Sequence, residues 1–280
     1  MARVLIAGCG DVGTELGLAL AADGDTVFGL RRNPARLPSP IRGVAGDLGR
    51  ADGLGAVPSD VDLVVYTAAA DGFDDAAYAR AYVEGQRNLL AALNRPPRRW
   101  LFASSTSVYA QRGGEWVDED SPTEPRGFSG RRLLEGEASV AAMPCEGVSV
   151  RFGGIYGPGR ERLVTRVRDG HPCVETPPQW TNRIHRDDCA GVLRHLARLA
   201  TVQPVYVAVD DEPAPMCAVM DWLADRLGVA RPPRGAGDDE PRRGGNRRVR
   251  NARLRATGYR MRYPSYREGY AAMLAGGAVR

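Results

Sequence analysis

The stretch "RVLIAGCGDVGTELGLAL", residues 3–20, decides the fold. It begins as a short, continuous apolar run closed by glycine, the pattern of a buried strand. Val12, Leu16 and Leu20 then fall on one helical face, and a glycine stop follows in "AADG". Where the two patterns meet, Gly8, Gly10 and Gly13 stand in G-x-G-x-x-G spacing. In such a turn the first glycine permits the tight bend and the second lets backbone approach a pyrophosphate. The third lets helix and strand pack closely. Asp11 and Val12 open the helix, whose N-terminal N–H groups and positive dipole end favour an anion. Alone, the motif also fits a purely structural turn. Between a first strand and the helix it opens, it reads as a dinucleotide site, with these residues holding the cofactor.

The same alternation continues outward. "DTVFGL" (25–30) and "VDLVVYTAA" (61–69) read as strands, "AAYARAYVEGQRNLLAALN" (76–94) as a helix, and "RRWLFASSTSVY" (98–109) as a strand again. "GVSVRFGGIYGPG" (147–159) is a strand running into a glycine-rich loop. Beyond it the regularity weakens, although "PVYVAVDD" (204–211) still reads as a strand and "PMCAVMDWLADRLGV" (215–229) as an amphipathic helix. Strands alternating with helices predict an α/β fold, a Rossmann-type doubly wound parallel sheet with a small C-terminal substrate lobe. The expected division is an NADP(H)-binding domain over 1–152 and a smaller, partly interleaved lobe over 153–280.

The second strand ends "FGLRRNP". A carboxylate here would take the ribose hydroxyls of NAD(H), but Arg31 and Arg32 occupy the place. Guanidinium groups suit a ribose 2′-phosphate, so the expected cofactor is NADP(H) rather than NAD(H). Two solvated arginines in an arginine-rich chain is the bland alternative.

Composition sets outer limits. The chain has 280 residues, 43% hydrophobic and 26% charged, which is ordinary for a soluble globular protein. No apolar run is long enough to cross a bilayer, and "RVLIAG" follows the N-terminus without a secretory h-region. The five cysteines show no CxxC pair, predicting neither a disulfide framework nor a zinc site, and suiting a reducing cytoplasm. His171 and His195 lack metal-ligand spacing, so no metal is expected. The net charge is +4, concentrated in the arginine-rich stretch 231–255. With no aromatics interleaved, that stretch reads as a solvated loop rather than a nucleic-acid patch. "WVDEDSPTEP" (116–125), several carboxylates without an evident partner, also reads as a solvated loop. All 38 basic residues are arginine, so no mechanism needing a deprotonatable side-chain amine is open to this chain.

Taken together, "GCGDVG", "GDL" (46–48), "TAAA" (67–70), "SSTSVY" (104–109), "RFGGIYGPG" (151–159) and "NRIHRDDCAG" (182–191) resemble the extended and atypical short-chain dehydrogenase/reductase superfamily. The nearest resemblance is to its YeeZ-like, NAD(P)-dependent epimerase/dehydratase-like branch, and the tail "NRRVRNARLRATGYRMRYPSYREGY" shares it. The resemblance implies that Asp47 and Leu48 meet the adenine end and that Thr67, Ala68 and Ala69 line the ribose–nicotinamide path. It also implies that the loop Phe152–Gly154, with Gly153 and Gly154, closes over the nicotinamide. The chemistry of that superfamily uses a Tyr in a Y-x-x-x-K pair, a Ser or Thr, and often an Asn. Ser105 fills the hydroxyl position. The pair falls on Phe128 and Arg132: Phe128 cannot transfer a proton, and Arg132 keeps only a charge for holding the ribose. The Asn position falls on Tyr82. No tyrosine lies between Tyr109 and Tyr156, so no small shift of alignment restores the pair. Tyr109, Tyr82 and Tyr156 are the phenols that could stand in.

His185 admits two roles, proton transfer or a hydrogen-bonded strut beside Asp187 or Asp188, and the strut is favoured. Arg183 could meet an anionic substrate group, although related enzymes place that arginine where this chain has Thr181. The expected protein is a cytoplasmic, NADP(H)-binding oxidoreductase or epimerase for a small carbonyl, alcohol or sugar-like substrate, with Ser105 and Tyr109 as catalytic candidates. Membrane and nucleic-acid partners are not expected, and analogy suggests a homodimer. Two alternatives stay open: a non-catalytic NADP(H) sensor, and a non-redox isomerase or cyclase.

Overall fold

In the computed structural model, residues 1–235 and 245–276 are described. Arg3–Ala7 forms β1, in which Val4 to Ala7 are fully buried. A strand covered on both faces is expected to be apolar throughout rather than alternating. The chain continues through α1 (Asp11–Ala22), β2 (Thr26–Arg31), β3 (Arg42–Ala45), β4 (Leu63–Tyr66), α2 (Asp75–Ala79), α3 (Gly85–Ala91) and β5 (Arg99–Ser105). It goes on as β6 (Glu115–Val117), α4 (Phe128–Ala141), β7 (Glu146–Phe152), β8 (Gly154–Tyr156), α5 (Arg162–Arg168), β9 (Trp180–Thr181), β10 (Arg183–His185) and α6 (Arg186–Arg198). The last elements are β11 (Val205–Ala208), β12 (Ala214–Pro215), α7 (Met216–Leu227), β13 (Arg247–Val249), α8 (Ala252–Ala256) and α9 (Tyr266–Ala275).

Seven strands form the main sheet in the order β11-β7-β5-β4-β1-β2-β3. The pairs β1–β2, β2–β3, β1–β4 and β4–β5 are all parallel. The chain starts at β1, runs outward through β2 and β3, and returns to β4 on the other side of β1. That reversal is the switch point where open α/β sheets bind ligands, at the carboxyl ends of the strands. The fold is therefore the Rossmann-type α/β sheet expected from the sequence.

Two compact units divide the chain, one of residues 1–108, 123–151 and 189–206, the other of 109–122, 152–188 and 207–280. The first carries the body of the sheet. The second has its own core, in which Val164, Val167, Val219, Met220 and Leu223 pack with Tyr156, Tyr266 and Tyr270. Cys173 and Cys217 lie in that core and form a disulfide with Cα atoms 5.5 Å apart. This corrects the reading of five unpaired cysteines. A pair 44 residues apart leaves no local spacing signal.

Two further readings change. In 116–125, Glu119 is buried and accepts the Val207 N–H at 2.8 Å, while Asp120 pairs with Arg253 at 2.7 Å. Glu119 thus fastens the second unit from within, while Asp120 stays exposed and makes only a surface ion pair. Of the arginine-rich stretch, 236–244 lies outside the described residues. Its C-terminal part is ordered secondary structure, with Arg247 buried and donating to the Tyr109 carbonyl at 2.9 Å. Arg248 and Arg250 stack over Trp116 at 4.9 and 4.8 Å, so aromatics do meet this charge through space. No helix among the described residues is long and apolar enough to cross a membrane.

Candidate functional site

Gly8 takes a φ of +77°, and a Cβ there would overlap the backbone of Ala68. This glycine both makes the bend and lets the ends of β1 and β4 meet. A Cβ at Gly13 would lie 2.9 Å from Ile6 Cγ2, so this glycine lets α1 lie close on β1. At Gly10 the nearest protein atom to an added Cβ is 3.8 Å away. Protein packing thus explains the first and third glycines and leaves space at the second. That space, at the N-terminus of α1 with Asp11 and Val12 in its first turn, fits a dinucleotide's pyrophosphate. Thr67 sits over the same turn, its Oγ1 donating to the Gly8 carbonyl at 3.1 Å. Ala68 and Ala69 continue from it past the end of β4.

Arg31 ends β2, and its Nη1 lies 3.4 Å from the Cys9 carbonyl, beside the glycine turn. Arg32 points elsewhere, its fork gripping Asp71 at 2.7 and 2.9 Å. Asp47 shapes the loop after β3 by accepting the Gly49 N–H at 3.0 Å, and the Leu48 carbonyl accepts from Asn88 at 2.9 Å. Ser105 closes β5, and its Oγ accepts the Ser107 N–H at 3.1 Å. Among the described residues nothing accepts the Ser105 hydroxyl hydrogen.

Phe128 begins α4 and packs against Phe73 and Tyr78, with ring centroids 5.1 and 5.4 Å away. Tyr78 in turn meets Tyr82 at 5.2 Å, and Tyr82 meets Phe102 at 6.2 Å. Phe128, where the resemblance leads one to expect the proton-transfer Tyr, therefore belongs to an aromatic wall. Arg132 donates twice to Asp75, at 2.9 and 2.7 Å, and to Glu135 at 2.7 Å. Both carboxylates hold its charge, tying α4 to α2. Deeper on α4, Glu137 receives Arg151 at 2.7 to 3.2 Å and the Ser104 hydroxyl at 2.6 Å, all three side chains being buried. This network joins α4 to β5 and β7. Sequence reasoning missed it because its members are 14 and 33 residues apart.

The other candidates lie in the second unit. Tyr109 is buried, and its hydroxyl donates to the Asp118 carbonyl at 2.6 Å. Tyr156 is buried against Tyr270 at 4.4 Å, and its phenol is held far up its range by burial. Gly153 donates to Ala208 at 3.0 Å, and a Cβ on it would crowd Val209 Cγ1 at 2.9 Å. Gly154 starts β8, which pairs with β10. Packing within this unit accounts for Gly153, whereas a Cβ on Gly154 would meet only the Asn182 carbonyl, at 3.4 Å. His185 is buried, its Nδ1 accepting the Asp187 N–H at 3.2 Å. Arg183 reaches back to Thr181 Oγ1 at 2.6 Å. Near it Asp210 is buried, with one carboxylate oxygen lacking a partner among the described residues. Burial pushes its pKa up to about 8, against the opposing pull of Arg183. No group of three or more His, Cys, Asp or Glu among the described residues could hold a metal ion.

Known proteins are similar to this chain in sequence and in fold. A 3-diazoavenalumate denitrifying reductase from a Streptomyces species is 33% identical over 255 residues, covering 83% of this chain and 83% of that protein. A solved structure from Methylobacillus flagellatus, named for NAD-dependent epimerase/dehydratase, is 40% identical with a TM-score of 0.84, covering 99% of each chain. Human epimerase family protein SDR39U1, solved with NADPH, has the same fold at 23% identity, with a TM-score of 0.80 over 98% of this chain and 99% of that one. Other structures of this fold hold NAD. The sequence model of the NAD-dependent epimerase/dehydratase family matches residues 4–202, the span that carries the glycine turn, Ser105 and α4, and the chain belongs to that family.

Proposed function

We propose that this chain is an NADP(H)-dependent reductase of a small carbonyl-type substrate. A bound dinucleotide would supply the hydride. The turn Gly8–Gly13 and the N-terminus of α1 would hold its pyrophosphate, Asp47 and Leu48 its adenine end, and Thr67 to Ala69 its ribose path. Arg31 would take the 2′-phosphate, and Ser105 would donate to the substrate oxygen. For Arg132 we assign helix fastening, because Asp75 and Glu135 already grip it.

One observation carries the choice of reduction over epimerisation: Phe128 stands in an aromatic wall where an acid–base phenol would be. Epimerisation through a transient ketone first needs a base to take an alcohol proton. Neither Phe128 nor the doubly paired Arg132 provides one. Reduction needs an acid instead, which a phenol kept neutral by burial can provide although it is a poor resting base. The reductase name of the Streptomyces relative supports the same direction. It also favours a second reading: where hydride replaces a departing N2 on a diazonium carbon, no proton is needed at all.

The test is to supply NADPH with a panel of carbonyl compounds and aryl diazonium salts, following cofactor oxidation and deuterium transfer from 4-deuterated NADPH. Label on the product carbon from at least one acceptor is the expected result. NADPH that binds but is oxidised by none would favour the non-catalytic sensor.

A further inference from the structure

Between α2 and α3 the helix widens to a π-helical turn at Arg80–Glu84, and the cause lies in the sheet beneath it. Tyr66, on β4, donates its phenol to the Ala81 carbonyl at 2.6 Å. In a regular α-helix that carbonyl would receive the Gly85 N–H. A Cβ at position 85 would overlap the Tyr66 oxygen, so only glycine leaves room for the insertion. One residue further, Gln86 donates to the Tyr82 carbonyl at 2.6 Å while accepting from Trp100 at 3.1 Å. Side chains thus take over the backbone acceptors of this turn, and π-helical turns of this kind often mark functional positions.

Tyr82 is the side chain this turn re-aims. Its oxygen lies 3.5 Å from the Ala70 N–H, just past Thr67–Ala69 at the carboxyl end of β4. The neighbouring strand β5 ends in Ser105. Unlike the phenols of Tyr66 and Tyr109, which donate to carbonyls, that of Tyr82 has no acceptor for its hydrogen among the described residues. It is half-buried, and burial raises its pKa, so it stays protonated at neutral pH. The titratable groups facing it are Tyr66 from β4 and Tyr78 from α2.

We infer that Tyr82 is the proton donor of the reduction, a catalytic residue in the place where the superfamily keeps an Asn; this rests on the reductase reading above. The carbonyl carbon receives hydride, two electrons from the reduced cofactor, and the C=O π pair moves to oxygen. The Tyr82 hydroxyl gives its proton to that oxygen while Ser105 holds it. Solvent water then returns a proton to the phenolate.

The experiment has two arms. In protein labelled with 13C-tyrosine, with Tyr82→Phe assigning the signal, the Tyr82 midpoint is read with NADPH and with NADP+. The positive nicotinamide ring of NADP+ lowers that midpoint by about 1 unit if Tyr82 stands beside it. Equal midpoints would overturn the inference. In the second arm, Tyr82→Phe lowers kcat for a carbonyl substrate by roughly 100-fold or more while NADPH binding is retained. An unchanged kcat would also overturn it. The titration needs no turnover. A wild-type protein that reduces nothing refutes the reductase reading, and the titration still decides whether Tyr82 faces the nicotinamide.

Discussion

Arg31 and Arg32 are neighbours in sequence but differ in what already holds them. Arg32 is engaged by Asp71 through both ends of its fork, so a phosphate would have to displace a carboxylate there. Arg31 makes only a long contact with the Cys9 carbonyl, and it stands at the turn itself. Arg31→Ala is therefore expected to weaken NADPH binding by about 10- to 100-fold, the worth of a charge-assisted contact. NADH binding should be unaffected, and Arg32→Ala should cost less. Calorimetry on the two variants checks this, and equal wild-type affinity for the two dinucleotides would refute it. At this scale the glycines were legible because their spacing is local. The partner of Arg32 was not, since Asp71 is 39 residues away. Tyr109 shows the same limit: "SVY" reads the same whether its phenol faces a substrate or, as here, the Asp118 carbonyl.

At the scale of elements, α4 carries Phe128 and Arg132 where the resemblance leads one to expect a Tyr–Lys pair, and it is anchored to the sheet deeper along its length. Periodicity revealed the helix, and the resemblance directed attention to Phe128 and Arg132 on it. Neither revealed that Glu137, Arg151 and Ser104 pin α4 to the sheet, because burial of a charged pair is decided by strands distant in sequence. The π-helical turn was illegible for the same reason: "AYARAYVEGQRNLL" is plain helix until the Tyr66 phenol arrives from β4. Side chains as buried as Glu137 and Arg151 cannot lose one partner cheaply. Glu137→Ala should destabilise the protein by about 3–5 kcal/mol, the usual cost of leaving a buried charge unpaired. Replacing both residues by apolar ones of similar volume, Glu137→Leu with Arg151→Met, should recover most of that loss. Urea unfolding of the two variants reads the difference. A double variant as weak as the single one would mean that α4 needs the ion pair itself.

At the scale of the whole molecule, chain order and spatial grouping part company. The sequence suggested a division at residue 152 with the later part partly interleaved with the first; by contacts the segment 189–206 groups with the sheet and 109–122 with the second unit. The disulfide makes this interleaving consequential. Cys173 and Cys217 both belong to the second unit, yet the 44-residue loop they close contains 189–206, which belongs to the first. In the chain-entropy account a cross-link stabilises by restricting the unfolded chain, and a loop of this size is worth about 4 kcal/mol. Restriction of one loop then limits residues of both units when the protein unfolds. Alkylation of the denatured, unreduced protein should accordingly mark Cys9, Cys145 and Cys189 and spare the other two, with all five marked after reduction. Reductant should also lower the urea midpoint of the wild type and leave a Cys173→Ser, Cys217→Ser variant unchanged. Five reactive thiols without reductant would mean that the second unit is held by packing alone. Its core around Val219, Met220 and Leu223 would then carry the stability assigned here to the sulfur link.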